Sequence, residues 1–141
     1  MENLDPIDQR IAKDKNAMYR GTARVSITHL DFPHTYRQID RKVIAQLKRD
    51  FEGEGCNKDE PANRIPAIID DATLKEGLEK LAISVETFKA ISDNDPPYFP
   101  LSQVAKLECL HGQHRILAGK ETSQKWWVVD LYSTGQYFQL S

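Results

Sequence analysis

The sequence predicts an α/β domain of the α+β type, a small mixed sheet with flanking helices. Three observations predict it: short runs rich in β-branched and aromatic residues, apolar stripes at helical spacing between them, and turn-forming residues that separate the two. The chain has 141 residues, of which 40% are hydrophobic and 28% charged, which is ordinary for one globular domain. A formal net charge of −2 excludes an arginine-rich, histone-like binder of nucleic acid.

The first residues and the overall composition predict where the protein resides. Residues 1–20 are polar without a clear period and predict an N-terminal arm, followed by one domain over residues 21–141. The N-terminus lacks the apolar segment of a signal peptide, and no apolar run reaches the ~18 residues of a membrane span. The two cysteines are too few for a disulfide framework. We therefore expect an intracellular protein, cytoplasmic or nuclear, without a membrane partner.

The first half of the domain predicts a strand, a helix and a second strand. Alternating apolar and polar residues over 24–30 predict the first strand. Asp40 is a good N-cap for a helix through Phe51, whose apolar positions fall on one stripe. The apolar run over 65–69 predicts a second strand, at the edge of the sheet because Pro66 cannot donate to a ladder.

The second half predicts a helical insertion and then a strand, a helix and a strand. The insertion covers residues 71–100, with capping-box spacing at Thr73 and leucines at helical intervals. Residues 104–110 predict a strand, 113–121 a helix, and 126–132 a strand that is apolar on both faces. These last three elements predict a compact βαβ-like unit.

The junction at Gly112 is the candidate site. A residue without Cβ lets a ligand approach the backbone, and the amides from Gln113 to Arg115 would be the unpaired donors of a helix N-terminus. Such amides bind anions. Arg115 adds a bidentate donor, while His111 and His114 add groups that titrate near neutral pH. A glycine turn with surface histidine and arginine side chains is the plain alternative for so short a motif.

The order of elements resembles the ParB N-terminal/sulfiredoxin superfamily. Its members share a strand, a proline-containing loop with an arginine, and a helix that begins after an aspartate. A strand follows, and a further strand then leads into a Gly-x-(His/Arg)-Arg box. Here Pro33, Arg37, Asp40 and the box Gly112-Gln113-His114-Arg115 stand in that order. The resemblance spans about residues 24–133, with 71–100 as an extra insertion, and the ending HGQHRILA is most similar to that of fungal proteins of this kind.

The resemblance implies nucleotide binding. The box holds the phosphates of CTP in ParB-like proteins and of ATP in sulfiredoxins, and in relatives it serves free-serine kinases. Carried over to this chain, the residues that hold a nucleoside triphosphate, with Mg²⁺ as an accompanying ion, are Gly112, Gln113, His114, Arg115 and Arg37. Sulfiredoxins have their nucleophilic cysteine at the place of Gln113, so sulfinic-acid repair is not expected. ParB proteins have a glutamate there, which helps with the metal, and an arginine at the place of His114.

The resemblance therefore predicts a nucleotide-dependent switch or a DNA-associated module. An ATP-dependent phosphotransferase or NTPase on the same scaffold is one alternative, and an interaction module that has lost its ligand is another, so whether the chain is an enzyme stays open. The sequence up to Ser141 contains no second ParB-type phosphate motif and no helix-turn-helix region. On that ground we interpret it as a candidate first domain of a longer protein.

Three further groups of residues could be read as functional sites, and each also has a plain structural explanation. Cys109, His111 and His114 do not have the spacing of a zinc site, and no metal ligand is predicted. Trp126 and Trp127 point to opposite faces of a strand, so at most one stacks on a base. A basic cluster is either a phosphate-facing surface or a solvated helix face; it comprises Arg37, Arg41, Lys42, Lys48 and Arg49.

Overall fold

The computed structural model describes residues 18–33, 38–55, 60–92 and 94–133. They form a five-stranded mixed sheet and four α-helices, which confirms the predicted fold class. The strands are β1 (Tyr19–Ser26), β2 (Leu30–Asp31), β3 (Ile65–Ile69), β4 (Leu107–Cys109) and β5 (Trp126–Ser133). The helices are α1 (Arg41–Glu54), α2 (Asp71–Leu81), α3 (Val85–Ile91) and α4 (Gln113–Glu121).

The strands lie in the order β1-β5-β3-β4-β2. Strand β1 is antiparallel to β5, β5 is parallel to β3, β3 is antiparallel to β4, and β4 is parallel to β2. Strands β4 and β5 are therefore antiparallel, with β3 between them, so the prediction of a βαβ-like unit was wrong. This topology brings together the carboxyl ends of β1, β2 and β4 and the amino ends of β3 and β5. We call this edge the loop end of the sheet.

One face of the sheet carries the main core. Alternate strand residues such as Val25, Ile65 and Trp127 are fully buried there, and they form one cluster with Phe88 of α3 and Ile116 of α4. Leu74 of α2 belongs to the same cluster, and Phe51 of α1 packs against it. All four helices thus contribute apolar side chains to the same face.

Strand β3 lies inside the sheet, so the prediction of an edge strand was wrong. The carbonyl of Pro66 accepts from the amide of Leu110 at 3.0 Å, which shows that the backbone of Pro66 faces the β4 side. The residue pairs of β3 with β4 are Ala67 with Cys109 and Ile68 with Glu108. The N–H group that proline lacks would therefore have faced a residue just past the end of β4. Its absence leaves the parallel hydrogen bonds with β5 unaffected.

Two predicted strands have different bounds in the structure. The first begins at Tyr19, inside the predicted arm, and a 3-10 turn at Ile27–His29 separates it from β2. Residues 1–17 of the predicted arm lie outside the described residues. Strand β4 covers only Leu107–Cys109 of the predicted 104–110, because Ala105 donates its amide to Ser102 in a turn. The Val104 side chain is accordingly 86% exposed.

The insertion after β3 forms two helices, as predicted. Asp70, rather than Thr73, caps α2, because its carboxylate accepts from the Thr73 amide at 2.7 Å. After α3 the chain extends along β1, where the Arg24 amide donates to Pro97 and the Arg24 carbonyl accepts from Phe99. This segment covers the outer edge of β1. No helix in the described ranges is long and apolar enough to span a bilayer.

Candidate anion-binding site

The predicted box lies at the loop end of the sheet, between β4 and α4. Helix α4 begins at Gln113, as predicted, with Gly112 as its N-cap at φ 99°. A Cβ atom on Gly112 would lie 3.0 Å from both Cδ1 and Cγ1 of Ile65. The positive φ strains any other residue at this position, and a side chain would in addition crowd Ile65. Packing thus accounts for the glycine, and a close approach of a ligand to Gly112 stays a prediction.

Helix α4 differs from the other helices at its N-terminus. Side chains cap the first three helices: Asp40 accepts from Lys42, Asp70 from Thr73, and Ser84 from Thr87. Helix α4 has no side-chain cap. Its first intrahelical bond joins the Ile116 amide to the Gly112 carbonyl at 3.0 Å. The amides of residues 113–115 therefore precede the helical ladder and point toward the loop end.

Helices α1 and α4 lie side by side with their N-termini at the same end. The Asp40 amide donates to Nε2 of His114 at 2.9 Å near the start of both helices. Lys48 of α1 forms an ion pair at 3.3 Å with Glu121, at the end of α4. The loop that leaves β2 and the loop that leaves β4 each lead into one of these helices. Two helix N-termini therefore meet at the loop end, where each favours negative charge.

His114 has a positioning role in this arrangement. The Nε2 atom of His114 accepts this hydrogen bond from the backbone of Asp40. The side chain thus ties the start of α1 to the box. The sequence identified His114 as a residue of the site but gave no sign of this contact, which joins positions 74 residues apart.

Arg115 is half-buried under the first turn of α4. Its one hydrogen bond within the described residues goes to the backbone carbonyl of Asn63, at 3.5 Å from Nη1. That carbonyl also accepts from Nε1 of Trp127 at 2.9 Å. None of the described carboxylates forms an ion pair with Arg115. Burial lowers the pKa of the Arg115 guanidinium from its ordinary value, since the charge is desolvated without a compensating anion.

Gln113 also has an unsatisfied polar atom. Its Oε1 is buried and finds no hydrogen-bond partner in the described parts of the chain. A buried side-chain oxygen without a donor is unfavourable, by roughly 1–3 kcal/mol. Among the described residues, the first turn of α4 therefore combines amides without a side-chain cap, a guanidinium without an ion-pair partner and an amide oxygen without a donor.

Arg37 lies in residues 34–37, outside the described residues, so its approach to the box stays a prediction. The described parts of that loop, Phe32–Pro33 and Gln38–Asp40, leave β2 and enter α1 at the loop end. The other arginine and lysine residues of the predicted basic cluster lie on α1. Arg41 binds Glu121 through two hydrogen bonds of 2.9 Å, and Lys48 joins the same carboxylate. Two of the five residues of this cluster therefore serve the contact between α1 and α4.

The ion pair at Glu121 predicts a dependence of stability on pH. The hydrogen bond from Arg41 is the main reason that the pKa of Glu121 is below its ordinary value of 4.5. A carboxyl group whose pKa is lower in the folded than in the unfolded protein stabilises the fold at pH values above its unfolded pKa. This contribution is lost as the pH falls through its folded pKa. We expect Glu121→Gln to unfold at lower urea than wild type at pH 7, and the difference to shrink as the pH falls below 4.5 and through the lowered pKa of Glu121. A difference that persists at acid pH would assign Glu121 another role.

Cys109 is a core residue. Its side chain is fully buried, and burial raises the pKa of its thiol to about 12. The described residues contain no group of three or more histidine, cysteine or acidic side chains placed to hold a metal ion. Cys56, the other cysteine, lies outside the described residues.

Burial predicts that Cys109 is unreactive in the folded protein. In a Cys56→Ser variant, which leaves one thiol, a disulfide reagent such as dithionitrobenzoate is expected to react only after denaturant unfolds the chain, because the thiolate is the nucleophile. Labelling at the rate of a free thiol under native conditions would show that Cys109 is accessible.

The comparisons with known proteins give a family. Residues 18–140 match the sequence profile described as "Protein of unknown function (DUF3723) N-terminal domain". No curated protein and no solved structure matches the chain. The match begins one residue before β1 and covers every strand and helix described above. The chain therefore belongs to the DUF3723 N-terminal domain family.

Proposed function

We propose that this domain binds the triphosphate of a nucleotide at the first turn of α4 and acts as a nucleotide-dependent switch or a DNA-associated module. One observation carries the proposal. Arg115 is half-buried; within the described residues its one hydrogen bond goes to a carbonyl 3.5 Å away, and no carboxylate pairs with it. It lies in the same helical turn as three amides that have no capping side chain.

The electrostatics of this turn favour an anion. Burying a charged group is unfavourable unless an opposite charge compensates it, and the described residues supply no carboxylate to Arg115. An oxyanion could accept from the guanidinium and from the amides of residues 113–115 together, in charge-assisted hydrogen bonds. The adjacent start of α1 adds a second helix dipole. The nearby Asp40 carboxylate is engaged by the Lys42 amide at 3.0 Å.

The position in the fold supports the same proposal. In open α/β sheets, ligands bind beyond the carboxyl ends of strands, where loops enter helices. Strands β2 and β4 are parallel neighbours, and both lead into helices at the loop end. The resemblance to the ParB N-terminal/sulfiredoxin superfamily supports a nucleoside triphosphate, CTP or ATP, as the anion, with Arg37 as a further ligand. Gln113 is uncharged, so we do not assign it a metal-binding role.

Isothermal titration calorimetry with a nucleotide panel tests the proposal. CTP, ATP, GTP, UTP and inorganic triphosphate are titrated separately, with and without Mg²⁺. Preferential binding of CTP favours the switch, whereas binding of ATP with release of ADP favours the phosphotransferase alternative. Absence of heat with every triphosphate, confirmed by an unchanged melting temperature, would contradict nucleotide binding and favour an interaction module without a ligand.

A further inference from the structure

The face of the sheet opposite the helices has two arginine residues in register. By strand alternation, Arg24 of β1 lies on this face, because its neighbours Ala23 and Val25 belong to the main core. Arg24 pairs with Val128 of β5, and Arg64 precedes Ile65, the partner of Val129. The two arginines therefore flank Val128, about two strand spacings apart or roughly 10 Å.

Two aromatic side chains accompany these arginines. Tyr98 forms a bridge with Arg24 along the outer edge of β1 and is 52% exposed. The Arg24 guanidinium lies over the ring of Trp126, 5.2 Å from its centroid. We call this set the arginine face; its members are Tyr98, Arg24, Trp126 and Arg64. The helices described above all pack on the other side of the sheet.

The arginines of this face have unsatisfied donors. The Nε atoms of Arg24 and Arg64 are buried without a hydrogen-bond partner in the described part of the chain. Arg24 pairs with Asp95, whose side chain is 87% exposed, so a competing anion replaces this partner at little energetic cost. Arg64 lies 4.0 Å from the carboxylate of Asp130, at the limit of an ion pair. The Arg24 side chain, which is 36% exposed, can therefore reach a further acceptor, whereas the Arg64 side chain, 16% exposed, mainly adds positive charge beside it.

We propose that the arginine face binds single-stranded nucleic acid. Unpaired bases stack on aromatic rings and guanidinium planes, and phosphates accept from arginine, which is the combination that this row of side chains offers. An acidic peptide would use the arginines but not the exposed ring of Tyr98. A duplex would fit less well, because its bases are already stacked on one another. This site is separate from the first turn of α4, which lies on the helical side of the sheet.

Fluorescence anisotropy with the whole chain and a labelled twelve-nucleotide oligothymidylate tests this proposal. We expect binding at low salt that weakens as salt rises, since phosphate contacts release counterions. Tyr98→Ala is expected to weaken binding about 5- to 100-fold through lost stacking. Arg24→Gln is expected to weaken it about tenfold or more. An unlabelled duplex of the same length should compete poorly.

A matched variant separates this site from general charge effects. Arg49→Gln removes an exposed arginine of α1 whose hydrogen bond among the described residues goes to Gln46, and it is expected to bind the oligonucleotide like wild type. Circular dichroism verifies that each variant is folded. The proposal is overturned if wild type does not bind at low salt, if the duplex binds as tightly, or if Tyr98→Ala and Arg49→Gln have equal effects.

Discussion

Gly21→Ala is expected to lower the free energy of unfolding by roughly 2–6 kcal/mol, as the sum of backbone strain and overpacking. Gly21 has a φ of 136°, at a register shift between β1 and β5, and L side chains rarely adopt this conformation. A Cβ atom there would lie 2.4 Å from Cε2 and 2.5 Å from Cδ2 of Phe88. Phe88 is fully buried and packs against the ring of Phe99 at a centroid distance of 5.5 Å, so a shift of Phe88 disturbs the core around it. Urea denaturation measures the change.

Gly53→Ala is the matched control for this prediction. Gly53 lies in α1, and a Cβ atom there would meet nothing within 4 Å. The same substitution should therefore stabilise the protein, by about 0.5–1 kcal/mol, because alanine is the better helix former. An unchanged midpoint for Gly21→Ala would show that α3 does not pack on β1 as described.

Arg115→Gln is expected to weaken nucleotide binding about 10- to 150-fold, which corresponds to roughly 1.5–3 kcal/mol for a hydrogen bond to a charged group. Stability without ligand should change little or rise, because the substitution removes a half-buried charge that no described carboxylate compensates. Calorimetric titration with the triphosphate that binds wild type measures the affinity. Thermal unfolding of the variant without ligand measures the stability.

Arg41→Gln serves as the control for charge. It removes one positive charge near the same helix pair, but its guanidinium is engaged by Glu121 at 2.9 Å. Arg41→Gln should therefore leave nucleotide affinity within a few fold of wild type. If Arg115→Gln unfolds the domain while its folded fraction still binds nucleotide normally, Arg115 is a structural residue and the anion site lies elsewhere.

The elements that local sequence determines were predicted correctly. Helix α4 begins and ends where expected, with the glycine turn at Gly112 directly before its first residue. The Asp40 cap of α1 follows from a side chain that bonds a backbone amide two residues away. The central position of β3 depends on pairing with β4 and β5, which are distant in sequence. Pro66 suggested an edge strand because nothing in the sequence shows that β4 ends just before the residue that lies opposite Pro66 in the sheet.

The candidate site was predicted only in part, because local sequence places its consecutive residues but does not show their contacts with distant parts of the chain. The box residues are consecutive, so a turn and a helix place them together. The contacts that give them roles are long-range: the Asp40 amide meets His114, and the Asn63 carbonyl meets Arg115. Asn63 contributes a backbone carbonyl, for which side-chain patterns carry no signal. Glu121 was missed as the partner of Arg41, since the sequence does not show that α1 and α4 are neighbours.

A titration of the ¹⁵N-labelled chain with nucleoside triphosphate, followed through its amide NMR signals, tests the central claim most directly. We predict that the largest shifts fall on the amides of residues 112–116 and on those of 38–42, where two helix N-termini meet. The same titration of Arg115→Gln should give small shifts at equal nucleotide concentration. Absence of shifts at millimolar nucleotide, or shifts confined to the face that carries Arg24 and Tyr98, would contradict an anion site at the start of α4.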